Sequence, residues 1–126
     1  MKLPLTIVLP GEKPISWNVF YRGKHWTYRK ILAEDIHQKV ALTIRSMGIF
    51  AGEPLIDYRI NIKITAYYTK THIDSDNIPA KLYIDGLKGI IIANDDPQYV
   101  GSVTTRSEKT TGKNRIEIEI VKDEPK

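Results

Sequence analysis

Between Ile56 and Tyr68 the chain alternates with a period of two. Ile56, Tyr58, Ile60, Ile62, Ile64, Ala66 and Tyr68 are apolar or aromatic, and Asp57, Arg59, Asn61, Lys63, Thr65 and Tyr67 stand between them. A helix would scatter these residues around its circumference. An extended chain puts every second side chain on one face, so this segment predicts a strand with one face buried and the other in water. The rest of the chain must supply what covers that face.

Two further segments suit the task. From Tyr28 to Met47, Leu32, Ile36, Val40 and Ile44 recur at every fourth position, with Ile31 and Met47 widening the stripe. This is an amphipathic helix, closed by Gly48. From Arg115 to Val121, Ile116, Ile118 and Ile120 alternate with Arg115, Glu117 and Glu119, a second half-buried strand. Residues 3–9 read as a short strand ending at Pro10, and residues 10–27 as loop. The polar run 69–76 leads into a second helix over about Ile78 to Leu87, with Asn77 or Asp76 as candidate cap and Pro79 in its first turn. After Gly86 and Gly89 come the apolar run Ile90-Ile91-Ile92 and the turn signature Asn94-Asp95-Asp96-Pro97. Tyr99 to Arg106 and Arg115 to Val121 read as a final strand pair joined by a hairpin through the polar, Gly112-containing loop 107–114. The expected fold is α+β: one domain over 1–126, order β-α-β-α-β-β, a mixed sheet with helices packed on one face.

No cysteine is present, which removes disulfides, thiolate nucleophiles and cysteine-ligated zinc. No apolar run approaches the roughly 20 residues of a membrane span, and the N-terminus, broken by Pro4 and Pro10, does not read as a signal peptide. The expectation is a soluble, cytoplasmic protein. Net charge is +4 and is uneven: residues 1–30 carry six basic side chains against one acid, Glu12, whereas the remainder is nearly balanced. Such an excess is compatible with a polyanionic partner. There is no Gly-rich phosphate loop, no Gly-x-Ser-x-Gly and no His-x-x-x-His.

The acids give the sharper signal. Asp74 and Asp76 stand two apart in a segment read as extended, so both carboxylates can converge on one point. Asp95 and Asp96 sit in the turn after the second helix, and that helix returns the chain to the same edge. Converged carboxylates repel one another unless a hard cation intervenes, and Mg²⁺ takes a few carboxylate oxygens and water. Such a site orients a water and steadies charge on a phosphodiester, with Lys81 one turn into the helix as a source of positive charge. The plainer reading stands beside this one. Asp-x-Asp-Asn before a helix also serves as a cap, Asp-Asp-Pro is a common turn, and Lys81 with Asp85 forms an ordinary i,i+4 pair.

Taken together, Asp74-Ser75-Asp76-Asn77, Lys81, Asp85-Gly86-Leu87 and Asp95-Asp96-Pro97-Gln98-Tyr99-Val100 resemble the signature of the RusA family of Holliday junction resolvases. The N-terminal strand ending in Leu9-Pro10, and Asn18 before aromatic and basic residues, are similar as well. The resemblance implies a homodimeric endonuclease that resolves four-way DNA junctions by paired nicks, with Mg²⁺ as cofactor and Mn²⁺ as a substitute. It implies that Asp74, Asp76 and Asp96 bind metal, that Lys81 is the catalytic lysine, and that Asp85 and Asp95 support the site. One departure is plain: the family places three residues between the second aspartate and the lysine, where Asn77-Ile78-Pro79-Ala80 makes four here. Arg22, Lys24, His25, Arg29 and Lys30, interleaved with Tyr21, Trp26 and Tyr28, are the expected DNA contacts, together with Lys70, His72 and Asn77. Lys109, Lys113 and Arg115 form a further basic surface. The competing readings are a branched-DNA-binding protein without catalysis, a different metal-dependent structure-specific nuclease, and a small-molecule enzyme or protein-interaction domain.

Overall fold

The alternation that dominates the sequence becomes the middle of a sheet. In the computed structural model, which describes residues 2–11, 16, 20–21, 26–49, 55–70 and 72–124, the strands are β1 (Leu5–Pro10), β2 (Ile60–Tyr68), β3 (Val100–Lys109) and β4 (Arg115–Lys122). Helix α1 is Trp26–Ser46, and helix α2 is Ala80–Asp85, preceded by a 3₁₀ turn at Ser75–Asn77. The strands lie in the order β1-β4-β2-β3. β4 runs antiparallel to both β1 and β2, while β2 and β3 run parallel, so the sheet is mixed.

Register follows the sequence pattern. Ile62 pairs with Ile120, Ile64 with Ile118 and Ala66 with Ile116. On the far side of β4, Ile7 pairs with Ile118 and Leu9 with Ile116. All of these are buried, and they join Ile36, Val40 and Ile44 of α1 and Leu82, Tyr83 and Ile84 of α2 in one core. Thr6, Val8, Lys63, Glu117 and Glu119 on the alternate positions are exposed or half-buried, and only Thr65 on that side is buried. Mostly polar residues on the open face and aliphatic residues on the other hold the strands in this register, since a slip of one residue would exchange the faces.

The expected hairpin between the last two strands is not formed. β2 lies between β3 and β4, and residues 110–114 bridge across its end. The bridge is fastened there: the Thr110 amide donates to the Tyr68 carbonyl (2.8 Å), and the Thr69 amide to Asn114 Oδ1 (3.0 Å). A loop this short spans either one strand spacing or two. Burial decides between them, because the isoleucines of β4 are satisfied only with a strand on each side. The core-side positions of β3 are Val103, Thr105 and Ser107, paired with Ile62, Ile64 and Ala66. They suit an edge, and Val103 is 43% exposed.

Other boundaries also shift. β2 starts at Ile60, and Ile56 instead makes an isolated parallel bridge to Ile92. The second helix is shorter than its pattern and divided, with Ile78 and Pro79 in non-helical backbone between the 3₁₀ turn and α2. Ile91 and Ile92 are fully buried and Ile90 is half-buried against them, so the apolar run packs into the core. The end of α1 is as expected. Gly48 has φ of 85°, its amide donates to the Arg45 carbonyl (3.0 Å), and the Ile49 amide reaches the Ile44 carbonyl (3.4 Å), the two bonds of a Schellman cap. Among the described residues no helix is long and apolar enough to cross a membrane.

The two helices meet at Gly86, where a Cβ would lie 2.9 Å from Val40 Cβ and 3.3 Å from the Tyr83 carbonyl oxygen. Only a residue without a side chain permits that approach. Gly86→Ala is expected to destabilise the fold by about 1–3 kcal/mol, the usual effect of overpacking, seen in urea unfolding as a lower midpoint with unchanged slope. A loss below about 0.5 kcal/mol would show that the helices separate without strain.

Candidate functional site

Because β2 and β3 are parallel, residues 69–99 must carry the chain from the end of one strand to the start of the other. All the motif acids lie on this crossover. After β2 the chain turns back along β3, where Thr105 Oγ1 donates to the Ser75 carbonyl (2.6 Å) and the Asn77 amide closes the 3₁₀ turn on the Asp74 carbonyl (2.8 Å). Asp74 is extended, with φ −60° and ψ 141°. Its side chain caps nothing, and the N-cap position of α2 belongs to Pro79, also without a side-chain hydrogen bond. The expected capping by Asp76 or Asn77 is therefore not made, because the non-helical step at Ile78 and Pro79 separates both from α2. Asp74 and Asp76 are exposed. His72 Nε2 lies 3.5 Å from Asp74 Oδ1, and its ring stands 5.9 Å from that of Tyr68. His72, Asp74 and Ser75 form one wall of an open groove of about 340 Å³, with Thr105, Arg106 and Ser107 of β3 opposite.

The second acidic pair sits at the other end of the crossover, in a turn that its own side chains build. Asn94 Oδ1 accepts from the Asp95 amide (2.9 Å), Asp96 Oδ1 from the Gln98 amide (3.0 Å), and Asp96 Oδ2 from the Asn94 side-chain amide (3.2 Å). Asp96 is exposed and performs the turn role that its sequence context suggested.

What the fold gathers is a box of four charges. Lys88 Nζ lies 3.1 Å from Asp85 Oδ1 and 3.3 Å from Asp95 Oδ1. Lys81 Nζ lies 3.6 Å from Asp85 Oδ1 and 3.7 Å from Asp95 Oδ2. Lys81 is thus tied across to the Asp95-Asp96 turn, which brings that turn against the helix following Asp74 and Asp76. Lys88 was not singled out by the sequence. Its signal was the i,i+3 spacing from Asp85, which in isolation marks only a surface pair. Arg106 was missed as well, because only the parallel register of β3 brings it to the groove.

Oxygen donors of this kind suit a hard cation such as Mg²⁺. Among the described residues, however, no three His, Asp or Glu side chains are grouped to hold a metal ion, so Asp74, Asp76 and Asp96 do not form a ready-made cradle. Of the expected DNA contacts, Arg22, Lys24 and His25 lie outside the described residues. Lys30, Lys70 and His72 are exposed, and Asn77 is half-buried in the 3₁₀ turn. Arg29 is half-buried, with its guanidinium 5.6 Å from the Tyr21 ring centre. In the further basic surface, Lys109 and Lys113 are exposed, but Arg115 is engaged, 3.8 Å over the Tyr67 ring and 2.6 Å from Glu117.

The box perturbs its members. Burial pushes the Asp95 carboxyl up, but the hydrogen bond from Lys88, the charges of Lys88 and Lys81 and a backbone hydrogen bond together hold it below its ordinary 3.8. Lys88 is raised above 10.5, chiefly by its hydrogen bond to Asp85, against burial, with Asp95 and both negative charges assisting. A lowered acid stabilises the fold above its unfolded-state value, and the gain disappears as pH falls through the folded value; a raised lysine contributes below its unfolded value and loses the gain as pH rises through the folded one. Asp95→Asn is therefore expected to be less stable than the parent near neutrality, with the gap closing below pH 3.8. Urea unfolding of both proteins in EDTA at neutral and acid pH checks this, and a pH-independent gap would mean that Asp95 contributes no charge pairing. In comparison with known proteins, no family model and no curated protein matches the chain.

Proposed function

We propose that this protein is a Mg²⁺-dependent, RusA-like endonuclease for branched DNA that resolves four-way junctions in recombination and repair, acting as a homodimer in the cytoplasm. One observation carries the reading: Asp74 and Asp76 are exposed and cap neither helical piece, while Lys81 ties the Asp95-Asp96 turn to the helix that follows them. The plainer account of the first acidic pair, helix capping, therefore loses its support. The acids remain as oxygen donors at the two ends of one crossover.

In this reading Asp74, Asp76 and Asp96 would hold the metal, with Mn²⁺ an acceptable substitute. A bound Mg²⁺ supplies Lewis acidity, lowering the pKa of a water and offsetting charge on the phosphodiester. The chain's own residues do the rest. Lys81, with 64% of its side chain exposed, offers a cation to the phosphate that gains charge in an in-line displacement. Asp85 and Asp95 anchor the lysines. His72, Lys70 and Asn77 flank the acids, and Arg22, Lys24, His25, Arg29 and Lys30 supply phosphate contacts before and within the first turn of α1. A junction has approximate two-fold symmetry, so a two-fold dimer places equal sites on opposed strands.

A second reading, a branched-DNA-binding protein without catalysis, draws on the ungrouped carboxylates. A labelled immobile junction and a matched linear duplex, each with Mg²⁺ and with EDTA, separate the two. The nuclease gives symmetric, metal-dependent nicks in the junction alone. Binding without nicks favours the architectural protein, and absent or salt-insensitive binding removes DNA as the partner. Asp74→Asn, Asp76→Asn and Asp96→Asn are each expected to abolish cleavage with junction binding retained. Lys81→Ala is expected to lower kcat by about a hundredfold or more, as for loss of one transition-state donor. Parental turnover in any of these variants removes that residue from the site.

A further inference from the structure

The four-charge box contains two lysines for two carboxylates, and the lysines are not equivalent. Oδ1 of Asp85 is sealed from solvent while 22% of the side chain stays exposed, and a carboxylate shielded on one side favours a cation beside it. Lys88 is the nearer cation, at 3.1 Å against 3.6 Å for Lys81, and it is nearer to Asp95 as well, at 3.3 Å against 3.7 Å. Its side chain is 34% exposed against 64% for Lys81.

The backbone of Lys88 is also fixed. Lys88 follows α2 in the turn that returns to the core, where it bridges to Ile92, and the next amide, that of Gly89 at φ 81°, donates to the Ile92 carbonyl (2.7 Å). Lys81 projects from the exposed side of a helix of six residues. One lysine is thus set by the fold to meet the acids, and the other meets them loosely at greater distance.

We propose that Lys88 is a positioning residue for Lys81: as the principal counter-ion of Asp85 and Asp95, it leaves the Lys81 ammonium free to meet a phosphate oxygen. The phosphate half of this statement rests on the nuclease reading; the division of labour between the lysines rests on the geometry alone. Without Lys88 the box would hold two carboxylates and one ammonium. Lys81 would then be drawn onto the buried oxygen of Asp85, away from any incoming anion.

The test uses the full-length protein with Lys88→Gln and Lys88→Arg. Acetylation of Lys81 by limiting acetic anhydride, read by peptide mass spectrometry, reports how tightly that amine is paired. Cleavage of a four-way junction with Mg²⁺ reports its use. In Lys88→Gln, Lys81 acetylation is expected to slow about threefold or more, the size of one exposed ion pair drawn tighter. Its kcat should fall about tenfold with KM changed by less than about twofold, as for an interaction made only in the transition state. Lys88→Arg keeps the charge and restores both. Unchanged Lys81 acetylation in a Lys88→Gln protein with the parental circular dichroism spectrum overturns the proposal. Should Lys88→Gln fail to fold, Asp95→Asn is the reciprocal variant. It removes one carboxylate while Lys88 remains, and must speed Lys81 acetylation; no change there also overturns the proposal. If the parent cuts no branched DNA, the nuclease reading falls while the acetylation result still decides which lysine holds the acids.

Discussion

The fold depends on β4 being buried between two strands. Ile116, Ile118 and Ile120 are fully buried, flanked by Ile7 and Leu9 of β1 on one side and by Ile62, Ile64 and Ala66 of β2 on the other. At roughly 1.5–3 kcal/mol for each large aliphatic side chain removed from water, no arrangement that leaves β4 at an edge competes. With β4 in that place, β2 must present its other edge to β3. The strand that arrives there comes from a long connection and pairs in parallel. The crossover of residues 69–99 is thus a consequence of where the isoleucines go, and every acid considered for chemistry lies on it or at its ends.

A crossover needs anchoring, since it crosses the sheet without a ladder of its own. Hydrophobic anchors come from Ile78, Leu82, Tyr83, Ile84, Leu87, Ile91 and Ile92, all buried. Polar anchors come from Thr105 to the Ser75 carbonyl and from the four-charge box. Surface ion pairs contribute about 0–1 kcal/mol at the median, so the exposed Lys81 pair adds little stability. The Asp85 oxygen differs, because it is sealed from water and the Lys88 ammonium 3.1 Å away offsets its charge. Fold stability and the disposition of Lys81 are therefore coupled through Lys88.

Much of this was legible in the residues. The period of two in β2 and β4 fixed their buried faces, and the fourfold spacing of Ile36, Val40 and Ile44 with Gly48 located α1 and its end. Neighbour order was less legible, because the link at 110–114 is long enough for an adjacent partner or the next strand over. Only the contrast between Val103, Thr105 and Ser107 in β3 and the isoleucines of β4 marked which strand takes the edge. At the site, the sequence placed Asp74, Asp76, Asp95 and Asp96 on one connection between two strands. It did not reveal that Asp95 rather than Asp96 would face the lysines. That depends on the Asn94 and Asp96 side chains closing the turn, which directs adjacent carboxylates to opposite sides.

Relative to the pattern that the chain resembles, one more residue separates Asp76 from Lys81. In a continuous helix it would rotate Lys81 by about 100° relative to the acids. Here the helical pieces are separate: the 3₁₀ turn ends at Asn77, α2 begins at Ala80, and Ile78 and Pro79 between them are non-helical and buried. The direction of Lys81 is therefore governed by α2, which Gly86 presses against Val40 of α1, and not by its sequence distance from Asp76. Its contact with Asp95 at 3.7 Å links α2 to the turn before β3, two elements whose relation is independent of how many residues precede Ala80. A buried Ile78-Pro79 step pins the chain to the core between Asp76 and α2, and Lys81 meets the acidic turn from α2.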